Sequence, residues 1–66
     1  MQPSQTAATL LEAEAERARA ALIGNMIRAG ETLATIRTVI ARGWPDAQPL
    51  SGETFDALRE ALLHRR

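Results

Sequence analysis

Asp56, Glu60 and His64 are spaced four residues apart, so on an α-helix they share one face, and carboxylate with imidazole is a donor set that divalent metals accept. His64 is the only histidine, so a metal site would need this line or two copies of it brought together in a dimer. Further chemistry is hard to assemble. With no cysteine and no lysine there is no thiolate or amine nucleophile, and no glycine-rich segment has the spacing of a phosphate loop. Ser4 and Ser51 stand where helix caps are needed, and Glu12, Glu14, Glu16 and Glu31 lack the Glu-x-x-His companion that carboxylate-bridged metal bundles use. The simpler account of Asp56, Glu60 and His64 is a solvated face with the imidazole near the negative end of its helix. The expectation is therefore a protein that is not an enzyme, with no catalytic residue, cofactor or metal.

Nucleic-acid binding is the other chemistry to weigh, because Arg17 and Arg28 fall on one helical face and arginine pairs with phosphate and guanine. Eight acidic residues balance eight arginines, so the chain carries no net charge to draw it to a polyanion. The segment Gly43 to Leu50 is also about twice as long as the three- or four-residue turn of a helix-turn-helix. A small dimeric DNA-binding transcriptional regulator stays as the alternative function, with nucleic acid the weaker partner.

The element that would position any site is the segment from Leu11 to Trp44. Leu11, Ala15, Ala18, Leu22, Met26, Ala29, Leu33, Ile36, Ile40 and Trp44 step by fours and threes, one face of a helix carried through about nine turns. A second apolar strip, Ile23, Ile27, Gly30, Ala34 and Ala41, runs beside it, and a helix apolar on two sides has two neighbours to satisfy. Thr9 with Glu12 three residues on has the capping-box spacing and sets the expected start, leaving 1–8 frayed. Gly30 after Arg28 resembles a helix C-terminus, yet the stripe keeps its phase through it, which favours one long helix, continuous or kinked at Gly24 to Gly30, over a helical hairpin.

The stop is set by Arg42 in the last turn, Gly43 beyond it in a left-handed conformation, and Pro45, which holds Trp44 out of the helix. After the loop 43–50, Ser51 is an N-cap, Leu50 and Phe55 have staple spacing, and Phe55, Leu58 and Leu62 give the helix 51–65 one apolar face. Glu53 and Asp56 load its first turn with acid, while His64, Arg65 and Arg66 load its last with base.

The fold class expected is thus all-α, a single domain over 1–66: a long helix or helical hairpin over 9–42, a short loop, and a second helix packed back. Sixty-six residues bury too little surface to be very stable alone, and without cysteine there is no disulfide to help. A homodimeric helical bundle is the expected remedy, self-associating through Leu22, Met26, Leu33, Ile36 and Ile40. Trp44, Ile23 and Ile27 are the expected contacts with a second, unrelated protein partner, since tryptophan often dominates interfaces. Trp44 has a competing role in the chain's own core. No apolar run approaches the length that spans a bilayer, and Met1-Gln2-Pro3-Ser4 lacks the features of a secretory signal, so the expected location is cytoplasmic. The expected function is that of a small regulator, inhibitor or adaptor acting by stoichiometric binding.

Overall fold

The computed structural model describes residues 3–64, with side chains at Ala7 and from Thr9 onward. Three helices account for most of them: α1 (Pro3–Arg28), α2 (Leu33–Gly43) and α3 (Gly52–Leu63). The all-α class is as expected, and no strand occurs among the described residues. The expected long helix is two helices, and the chain takes the hairpin form.

The reversal is made by backbone hydrogen bonding around Gly30. Glu31 N–H donates to the Met26 carbonyl and Gly30 N–H to the Ile27 carbonyl, both at 3.0 Å, while Gly30 sits at φ +84°. This pair of bonds, closed around one left-handed residue, satisfies carbonyls that the end of a helix otherwise leaves open. Thr32 then starts α2: its Oγ1 accepts from Thr35 N–H at 3.1 Å. The phase of the stripe did not betray the break for a simple reason. Ala29 to Thr32 is four residues, close to the 3.6 of a helical turn, so a connection of that length leaves the apolar spacing in register.

Folding back at Gly30 brings the two apolar strips together. Ile23 and Ile27 of α1 meet Ile36 and Ile40 of α2, and these four, between 0 and 9% exposed, are the enclosed core. Leu22, Met26, Trp44, Leu50, Phe55, Leu58 and Leu62 pack around them, half-buried. The third helix supplies much of that cover, and α1 packs on α3 more extensively than on α2.

The other ends differ from expectation in two places. The first helix begins at Pro3 rather than Thr9, so Thr9 and Glu12 lie inside it and do not cap it; proline is preorganised for the first helical position and forfeits only an N–H that has no partner there. Gly43 is still helical and has no positive φ. Pro45 suffices, because it keeps Trp44 out of the helical conformation (φ −135°, ψ 72°) and no left-handed residue is required. Ser51 caps α3 as expected, its Oγ accepting from Thr54 N–H at 3.1 Å. The basic residues expected after it, Arg65 and Arg66, lie outside the described residues, as do Met1 and Gln2 of the segment expected to fray.

At 1.5 Å per residue α1 is about 39 Å long, which accounts for most of the 42 Å longest dimension. The radius of gyration, 14.0 Å, exceeds the ~11 Å of a compact chain of this length because the first half of α1 runs beyond the three-helix body.

Gly24, inside α1, and Gly30, in the bend, predict opposite outcomes. A Cβ at Gly24 would meet Leu62 Cδ1 and Arg28 Nη1 at 3.8 Å, ordinary contact, so Gly24→Ala stabilises by about 0.5–1 kcal/mol. Gly30→Ala meets nothing within 4 Å but must hold a left-handed backbone, which costs about 1–2 kcal/mol. Urea melts followed by circular dichroism at 222 nm measure both. In the same assay Ile36→Ala loses about 2–5 kcal/mol, since nothing fills the space of a side chain that is fully enclosed.

Candidate functional site

The structure separates the residues expected to act together. Ile36 and Ile40, expected in a seam between subunits, and Ile23 and Ile27, expected to face a partner, are the buried core of one chain, because folding at Gly30 turns each strip toward the other. Their surface is consumed internally. Leu22 and Met26 keep part of theirs, and Leu33 is half-buried near the start of α3, where it lies 3.9 Å from the position of a Cβ on Gly52. Trp44 is half-buried against the isoleucine core, which is its role as an intrachain contact.

Trp44 nevertheless fixes the corner between α2 and α3. Its N–H donates to the Ile40 carbonyl at 2.8 Å, ending α2, and its carbonyl accepts from Ala47 N–H at 3.1 Å, closing a turn with Pro45 at the second position. The rest of the connection is tied down by a contact that spacing in the sequence gives no means to foresee. Arg37 Nε, on α2, donates to the Leu50 carbonyl at 2.7 Å, thirteen residues away. Between α2 and this clasped loop lies an open groove of about 400 Å³ whose walls include Ala41, Ala47, Pro49 and Leu50. One wall is helix, and the other is a loop tied to that helix by the Arg37–Leu50 hydrogen bond.

A sequence signal for the two inner caps was present. Thr32-Leu33-Ala34-Thr35 and Ser51-Gly52-Glu53-Thr54 share one arrangement, in which the first hydroxyl accepts from the fourth N–H and donates to the fourth hydroxyl, at 3.0 Å in one case and 2.9 Å in the other. The repeat marks a helix start at Leu33 and so the bend before it.

The remaining candidate constellations are modest. His64 Nε2 lies 3.8 Å from Glu60 Oε1, both side chains well exposed, and no group of three metal-ligating side chains is gathered among the described residues. Glu14 and Arg17 form an exposed ion pair at 2.8 Å, and Arg28 Nη1 donates to Asn25 Oδ1 at 3.3 Å, so the two arginines considered for phosphate contacts each bond within their own helix. No helix among the described residues is long and apolar enough to cross a membrane. On α1, beyond the body, Leu10 and Leu11 are 61 and 71% exposed.

The Arg37 clasp predicts a local effect. Arg37→Met keeps most of the aliphatic stem and removes the donor, costing about 1 kcal/mol for a hydrogen bond at the surface. Amide exchange at Ala47 and Gln48 should quicken in this variant, while that of Ile23 and Ile27 changes only as far as global stability does. Equal acceleration throughout would mean that the clasp does not act locally. The chain matches no known family pattern, no curated protein and no solved structure.

Proposed function

We propose that the chain is a non-enzymatic protein-binding module, a self-associating subunit that acts as a regulator, inhibitor or adaptor by stoichiometric binding of another protein. The observation that carries this reading is the preformed groove at the α2–α3 corner, where Ala41, Ala47 and Pro49 leave room for an apolar side chain and the Arg37–Leu50 hydrogen bond holds the loop in place. A binding surface that needs no ordering on contact loses less entropy when it is filled. Trp44 serves it from behind, as the anchor that sets the corner. A chain without cysteine suits the reducing cytoplasm.

One observation favours the second reading, a small DNA-binding regulator. The connection from Ala29 to Thr32 has four residues and contains Gly30, which is the length and composition of a helix-turn-helix turn. The balanced charge weighs against it, since phosphate contacts supply most of the affinity of such proteins.

Selection of displayed peptides against the purified protein tests the first reading. It should yield peptides with an apolar anchor whose binding is lost in Ala41→Arg, a change at an exposed position that fills the groove while leaving helicity intact. Peptides that bind Ala41→Arg as well as the parent would remove the groove from the argument. Retention of a specific DNA duplex at physiological salt, with affinity falling steeply as salt rises, would replace the reading with the second.

A further inference from the structure

The half of α1 beyond the three-helix body bears exposed apolar side chains: Leu11 is 71% exposed and Ala15 and Ala18 are exposed, while Leu22, where the helix enters the body, packs on the isoleucine core with part of its surface and keeps the rest open. These four residues are separated by four, three and four positions, the alternation of a two-helix seam. Ile23 and Ile27, which face the body, lie roughly a third of the way round the helix from the seam, so the Leu11, Ala15 and Ala18 side of it is open to a neighbour.

We propose that the occupant of this face is α1 of a second copy of the chain, packed antiparallel about a two-fold axis that crosses the seam between Ala15 and Ala18. This rests on the reading of the chain as a self-associating subunit and assigns its interface. The order Leu, Ala, Ala, Leu with spacing four, three, four reads the same in both directions. A two-fold interface must be self-complementary in this way. Antiparallel pairing sets Leu11 against Leu22 of the second copy at each end, and Ala15 against Ala18 in the middle, where the small side chains let the helices approach to about 8 Å.

The flanking charges choose the direction. Glu12 and Arg19 each follow a seam residue, Leu11 and Ala18, and so lie on the same edge of it, the edge next to the body, where Glu12 is exposed and Arg19 is half-buried beside Ile23. Neither makes a side-chain hydrogen bond or ion pair among the described residues. In the antiparallel arrangement Glu12 of each copy comes beside Arg19 of the other, so two unpaired groups become two ion pairs related by the axis. Parallel pairing would instead set Glu14 beside Arg19, and Glu14 is already bound to Arg17 of its own helix at 2.8 Å. Charges at these edge positions are the ones that set helix orientation.

Light scattering and sedimentation on the full chain at tens of micromolar give the test, with helicity followed alongside. The wild type should have twice the 7.2 kDa chain mass. Leu11→Asp should be a monomer of unchanged three-helix fold, because Leu11 makes no part of the core. Arg19→Glu should weaken the dimer roughly tenfold by turning two attractions into repulsions, and adding Glu12→Arg to it should restore the affinity. Rescue of Arg19→Glu by Glu14→Arg and not by Glu12→Arg would establish parallel pairing and overturn the proposal. So would a monomeric wild type, or a Leu11→Asp dimer as tight as the parent. A monomeric wild type removes the self-association reading along with this interface, whereas a Leu11→Asp dimer as tight as the parent or rescue by Glu14→Arg overturns the interface alone, and none of these outcomes bears on peptide binding at the corner groove.

Discussion

Closure of four isoleucine side chains against one another is the contact on which the rest of this small fold depends. Ile23 and Ile27 cannot be enclosed by α1 alone, nor Ile36 and Ile40 by α2, and only a reversal between them brings the two pairs into contact. The reversal in turn needs Gly30 in its left-handed conformation and the two 3.0 Å hydrogen bonds around it. Once α2 is doubled back, one side of the isoleucine cluster still faces water, and α3 with the loop before it supplies the lid through Leu50, Phe55, Leu58 and Leu62. Burial drives each step, and the caps decide where each helix is allowed to begin.

That order explains which parts of the sequence were legible. Helix content, the stop at Trp44-Pro45 and the Ser51 cap depend on neighbours in sequence, and local chemistry determined them. The bend at Gly30 depends on which of two arrangements buries more surface, a tertiary question, and the four-residue connection hid it by keeping the spacing intact. The bend also changes which surface is open. With one continuous helix, the two strips point to two outside partners; with the bend, Ile23, Ile27, Ile36 and Ile40 are each other's partners and the open surface moves elsewhere. The Arg37–Leu50 clasp bridges thirteen residues and rests on the packing of α2 beside the loop, so no spacing rule reaches it.

The molecule is therefore unequal along its length. The second half of α1, α2 and α3 share one core, whereas the first half of α1 has solvent on the faces that Leu10 and Leu11 present. A helix in that position draws little stability from tertiary contacts and relies on intrinsic propensity, which its alanines, leucines and glutamates supply. Such a segment opens locally at a lower free energy than the core does. The proposed groove and the proposed seam lie on opposite sides of this division, one on the closed body and one on the projecting helix.

Gly30 carries a consequence for the handedness of the chain. A φ of +84° with empty space where a Cβ would stand is unfavourable for an L-amino acid and natural for its mirror image. D-alanine at this position would occupy the conformation that the bend already uses, and it would narrow the range of shapes open to the unfolded chain. A chain of 66 residues without cysteine is within reach of chemical synthesis, so the corner that organises the fold is also the point where inverted chirality would strengthen it.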